Sequence, residues 1–177
     1  MFRISRFIFI GMAVTVLSPY CHSQEVLNHC INTQIEPSTP TDRFKIIDIN
    51  GVPVIRDLTT KLEWQNCLSG QQWDGVSLCV GEIGKHTWSE ALALSQNDEG
   101  WRVPNINELA SLIERCSRYP ALNRIVFPGI PGGVLVWSST PSAGAPSSSW
   151  ILDSGTGAPY TLVRSAAAAA ILLIKKQ

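Results

Sequence analysis

Thr87-Trp88-Ser89-Glu90 and, beyond it, Trp101-Arg102-Val103-Pro104-Asn105-Ile106-Asn107-Glu108 form the stretch whose reading decides the architecture. In the first segment the Thr87 hydroxyl is placed to accept from the Glu90 amide while the Glu90 carboxylate returns to the Thr87 amide, a reciprocal pair that starts a helix. That helix is expected to run to about Gln96, burying Trp88, Ala91 and Leu92, and to end at the turn Asn97-Asp98-Glu99-Gly100. Pro104 holds the residues before it extended. Asn105, with Glu108 three residues on, then caps a second helix. Ile106, Leu109, Leu112, Ile113 and Cys116 recur at helical spacing, so this helix is expected to continue through Cys116 with the sulfur on its buried side.

Strands are expected on both sides of the helix pair. Runs 44–49 and 52–57 bracket Asn50-Gly51, a hairpin signal, and Pro53 belongs at an edge or at a strand's first positions. Residues 62–65 read as a third short strand. After the helices, residues 134–139, 150–153, 160–164 and 168–175 read as strands between stretches rich in Pro, Gly and Ser. Two helices between strand groups predict an α+β domain with a small, irregular antiparallel sheet. The apolar run 166–174 is far shorter than the ~20 residues of a membrane span and reads as a buried closing strand.

The beginning of the chain reads as an export signal. Arg3 and Arg6 precede the apolar run 7–17, Ser18-Pro19 breaks it, and Cys21-His22-Ser23 supplies small side chains before Gln24. Cleavage is expected near Ser23. Lipid attachment at Cys21 is disfavoured because Pro19 and Tyr20 replace the small residues such a site needs. Residues 24–42 are polar, hold Pro37 and Pro40, and read as an extended N-terminal arm, leaving 43–177 as one domain. Of 14 basic and 14 acidic residues the signal takes two arginines, so the mature chain is slightly acidic. That balance argues against a nucleic-acid or anionic-membrane binder.

Cys30, Cys67, Cys79 and Cys116 remain after cleavage, an even number for an oxidising compartment, and two disulfides are expected among three connectivities. Cys67 and Cys79 flank a polar, Gly-rich loop and suggest a local staple, which leaves Cys30 to tie the arm to Cys116. Zinc is disfavoured, since no C-x-x-C occurs and His29 and His86 lie far apart. Calcium would need clustered oxygens, and Asp74 and Asp98-Glu99 are scattered. No cofactor is expected.

Several ordered words of the chain match a known family. Val54-Ile55-Arg56-Asp57-Leu58-Thr59-Thr60-Lys61-Leu62-Glu63-Trp64 is followed by Gln72-Trp73-Asp74-Gly75 between Cys67 and Cys79, then by Thr87-Trp88-Ser89-Glu90-Ala91 and Trp101-Arg102-Val103-Pro104-Asn105. Phe127-Pro128, Trp137-Ser138-Ser139-Thr140 and Trp150 complete the set. From about Arg43 onward the chain resembles the bacterial domain of unknown function 1566, the family of the C-terminal domain of the Legionella collagen-like adhesin. The resemblance implies a C-type lectin-like mixed fold and a secreted or surface-exposed ligand-binding module, with sulfated glycans as ligands. The chain departs from that family in having no collagen-like repeat and in closing on Ile171-Leu172-Leu173-Ile174-Lys175-Lys176 after an alanine run.

Among candidate ligand contacts, Trp64, Trp88, Trp101, Trp137 and Trp150 sit beside apolar neighbours and read as core. Trp73, in the stapled polar loop, is the aromatic candidate. Arg102 reads as a half-buried arginine paired to a carboxylate. Arg115 and Arg118, three apart, with Arg124 shortly after and Lys175-Lys176 as neighbours if the last strand lies close, form a basic patch able to grip a sulfate. No catalytic constellation is found: the G-x-S-x-G elbow, H-E-x-x-H and the phosphate-cradling Gly loop are all missing. The expected function is adhesion or ligand binding, with glycans or a surface protein as partner. A structural, homo-oligomer-forming subunit of a surface appendage is the alternative, and an enzyme on a formylglycine-generating-enzyme-like scaffold is the second alternative.

Overall fold

The computed structural model describes Cys30 and residues 34–49, 51–76, 78–97 and 100–176. The expected signal peptide (1–23), His29 and Asn50 lie outside the described residues. A 3-10 turn at Thr41–Arg43 leads into β1 (Phe44–Ile49), β2 (Val52–Asp57), β3 (Glu63–Gln65), β4 (Gln72–Trp73) and β5 (Cys79–Val80). Helix α1 (Trp88–Asn97), β6 (Trp101–Arg102) and helix α2 (Ile106–Ala110) follow. The chain ends with β7 (Leu135–Pro141), β8 (Ser148–Asp153), β9 (Pro159–Val163) and β10 (Ile174–Lys175). The fold is mixed α+β and mainly β. In place of one small sheet there are three antiparallel ones, ordered β1-β2-β3-β10-β6, β4-β5 and β7-β8-β9.

The hairpin forms where the sequence places it. Gly51 takes φ +82°, a left-handed turn conformation that suits glycine, and its amide donates to Asp48 Oδ1 at 2.9 Å. Ile46 then pairs with Ile55, and Pro53 falls at the second position of β2. At the next turn the fully buried Asp57 accepts from the Thr59 and Thr60 amides and the Thr60 hydroxyl, while Arg43 forks onto both of its oxygens. Burial alone would raise the Asp57 carboxyl, but these donors, Arg43 foremost, hold it below the ordinary carboxylate range.

Both helix caps are present. Thr87 and Glu90 exchange hydrogen bonds at the start of α1, and Asn105 and Glu108 do so at α2. The second helix is shorter than its apolar spacing suggests. It stops at Ala110, and Ile113 bridges instead to Leu122, closing the loop between them. Leu112 and Cys116 are nonetheless buried, because successive turns can bring the same residues to the core that a continuous helix would.

The C-terminal run also differs from a single strand. Ala169, Ile171 and Leu173 pack into one buried cluster with Ala91, Val103, Trp137 and Ile151, while Ala170, Leu172 and Ile174 pack into another with Ile55, Trp64, Leu109 and Phe127. This is the period-two alternation of extended chain, buried on both sides. Its backbone partners change along the way: Ala169 bridges to His86, Ala170 to Val136, Ile171 accepts from Ser69, and only Ile174–Lys175 form β10 between β3 and β6. The segment closes the fold by running between the two clusters. Trp64 and Trp137 are fully buried; Trp88 and Trp101 are half-buried against the second cluster, and Trp150 is half-buried in β8.

Candidate ligand-binding site

The three candidate arginines are brought onto one loop and its exit. The Ile113–Leu122 bridge and the hydrogen bond from Glu114 N to Ala121 O (3.0 Å) close the base of this loop. Arg115 and Arg118 lie within it and Arg124 just past it. All three are exposed, and none forms an ion pair among the described residues. Lys175 does not join them freely, since its ammonium is engaged by Glu63 at 3.1 Å.

The loop is anchored from the N-terminal side. Glu114, fully buried, accepts from the amide and hydroxyl of both Ser38 and Thr39 and from the Cys116 amide, at 2.8 to 3.1 Å. Burial pushes its carboxyl up, yet the Ser38, Cys116 and Thr39 donors outweigh that and hold it at about 2. Asn123 donates to the Thr39 carbonyl and the Thr41 hydroxyl, and the Cys30–Cys116 disulfide adds a covalent tie. The stretch read as an extended arm is therefore built into the domain from Ser38 onward. The sulfurs of Cys30 and Cys116 and a Glu114 oxygen lie within 4.8 Å of one another, but both sulfurs are spent in the disulfide and the carboxylate is engaged by donors.

Trp73 lies elsewhere, in β4, paired with Cys79 and half-buried. The Cys67–Cys79 disulfide closes its loop, as the spacing suggests. Trp73 lines a half-open cleft of about 690 Å³ between this loop and the β1–β2 hairpin, with Trp101 and the carboxamides of Asn66, Gln71 and Gln72 on its walls. The sequence singles out Trp73, whose neighbours Gln71 and Gln72 share its loop; Trp101, read as core, and Asn66 join them only through the fold.

Arg102 is an internal partner. Its guanidinium forks onto Glu108 at 2.7 and 2.9 Å, and Glu108 also receives the Asn105 amide, so one carboxylate serves cap and ion pair together. His86, the one histidine among the described residues, has its Nε2 buried without a hydrogen-bond partner there.

Residues 53–174, from β2 to β10, match the family model of the Lcl C-terminal domain. The chain belongs to the Lcl C-terminal domain family. No curated protein and no solved structure matches it. The Lcl C-terminal domain is an adhesin-associated domain and not a known enzyme family. The Cys67–Cys79 disulfide lies inside the matched span, while Cys30–Cys116 reaches outside it to the N-terminal side. Two disulfides on an Lcl C-terminal domain fit an extracellular or surface location. Among the described residues no helix is long and apolar enough to cross a membrane.

Proposed function

We propose that this Lcl C-terminal domain is a secreted or surface-exposed adhesion module that binds glycans, with anionic sulfated chains held at Arg115, Arg118 and Arg124. The observation that carries the reading is three exposed arginines, without ionic partners among the described residues, two on a loop braced by Glu114 and a disulfide and the third at its exit. Arginine's planar fork suits sulfate oxygens, and a braced loop loses little freedom on binding. In this reading residues 1–23 direct export and are removed, residues 24–42 lead into the domain, and a C-type lectin-like scaffold displays the loop. N-terminal sequencing of the secreted protein should begin at Gln24. A glycan array with salt titration tests the ligand: saturable, salt-weakened binding of sulfated glycans is expected, and silence across the array would overturn it.

A second reading, a self-assembling surface subunit, is favoured by the outer strands. β1 and β9 end their sheets, leaving Ile46 (61% exposed) and Val163 (48%) beside open backbone edges. A sizing column separates the two, since a tight homo-oligomer without glycan binding supports the second.

A further inference from the structure

We propose that the cleft between the β1–β2 hairpin and the Cys67–Cys79 loop is a second binding site, for an uncharged saccharide. The proposal rests on the glycan-binding reading above but places a different chemical class at a different site. The cleft's volume, about 690 Å³, is that of a small-ligand pocket. None of the described residues lining it is Asp, Glu, Lys, Arg or His. What it offers is two indoles, Trp73 and Trp101, and a set of carboxamides. An indole face complements the C–H face of a sugar ring, and carboxamides both donate to and accept from hydroxyls. A sulfate or carboxylate placed there would lose water and find no cation, a cost that charge-free walls cannot offset.

Asn66 gives the site its most specific feature. It is only 5% exposed, and its carboxamide makes no hydrogen bond among the described residues, yet it lines the cleft. The buried side-chain groups left without a partner among the described residues are Trp64 Nε1 and His86 Nε2, so the Asn66 carboxamide keeps contact with the cleft's solvent. A ligand hydroxyl would take the place of that solvent. Gln71, whose Oε1 accepts from the Leu68 amide at 3.3 Å, keeps its amide nitrogen for the same task.

The walls are held in place before any ligand arrives. Gln71 N donates to Leu68 O at 3.0 Å, Ser69 N to Ile171 O at 2.9 Å, and Gly84 N to Ser69 O at 2.7 Å. A Cβ at Gly70 would stand 2.5 Å from the Glu82 carbonyl oxygen, so the loop lies backbone against backbone, with glycine at φ +85° allowing the approach. The disulfide fixes the remaining end.

The experiment titrates the mature protein with chitotriose, cellotriose and maltotriose, and separately with a heparin hexasaccharide, following tryptophan fluorescence. At least one uncharged trisaccharide should saturate the signal, with an affinity unmoved by salt and by the Arg115→Ala/Arg118→Ala double substitution. Trp73→Ala should weaken it by about tenfold or more, and Trp73→Tyr should restore part of the loss. If Trp73→Ala fails to fold by circular dichroism, Gln72→Ala, at an exposed position, should show a loss in the same direction. Heparin binding without any trisaccharide binding would overturn this proposal and leave the anionic-glycan reading standing. Trisaccharide binding that persists in both Trp73→Ala and Gln72→Ala would overturn it too, and silence from both ligand classes would overturn both readings.

Discussion

Thr39 and Glu114, 75 residues apart in the chain, are joined by two hydrogen bonds: the Thr39 amide and hydroxyl donate to Glu114 Oε2 at 2.8 and 2.9 Å. This contact makes the N-terminal side part of the domain and sets the base of the arginine loop.

Glu114 should make the domain acid-sensitive. Its folded pKa, about 2 against an ordinary 4.5, is depressed, so its contribution is full above pH 4.5 and is lost as pH falls toward 2. The shift corresponds to a contribution on the order of 3 kcal/mol. Glu114→Gln should lower stability at pH 7 and flatten the loss between pH 5 and 2, as read by urea denaturation. An unchanged acid limb would show that the Ser38 and Thr39 donors do not favour the charged form.

Asp57→Asn should be among the most damaging single substitutions. It leaves the Arg43 guanidinium, only 12% exposed, without its anion and weakens the turn that Thr59 and Thr60 complete. A loss of about 3 kcal/mol is expected from breaking one side of a buried pair. A melting temperature within a degree or so of wild type would contradict this.

The two disulfides should differ in weight. Cys30–Cys116 spans 86 residues and Cys67–Cys79 spans 12, so chain entropy assigns them about 4.5 and about 3 kcal/mol. Cys30→Ser/Cys116→Ser should destabilise more than Cys67→Ser/Cys79→Ser in denaturant titrations. The reverse order would mean that the contacts of Ser38 and Thr39 already confine the unfolded chain, or that local packing at the short loop dominates.

Arg102→Ala should act on stability and not on binding. The Arg102–Glu108 pair is partly exposed, so the loss is about 1 kcal/mol, and glycan affinity should be unchanged because the guanidinium is already committed. A large loss of affinity in a folded variant would make Arg102 a ligand contact.

Much of this was readable from local chemistry. Asn50-Gly51, Thr87 with Glu90 and Asn105 with Glu108 are short-range signals whose physical cause lies within four residues, and the hairpin and both helix starts follow them. Signals that depend on tertiary partners misled or were silent. Leu112, Ile113 and Cys116 keep a helical rhythm, but the Ile113–Leu122 bridge and the Glu114 anchor redirect the chain after Ala110. The alternation of residues 169–174 identifies extended, doubly buried chain without revealing that its partners change from His86 to Val136 to Trp64. Arg115 and Arg118 are visible as a pair in sequence, whereas the cleft joins Asn66, Trp73 and Trp101 across segments that no spacing rule connects.

The central claim, that this domain grips anionic glycans through its arginine loop, is tested most directly by calorimetric titration of a heparin hexasaccharide into the wild type and into Arg115→Ala/Arg118→Ala. Saturable binding that weakens about tenfold or more in the double variant, and whose salt slope becomes shallower, is the predicted result. Equal affinity and equal salt dependence in the two proteins would contradict it.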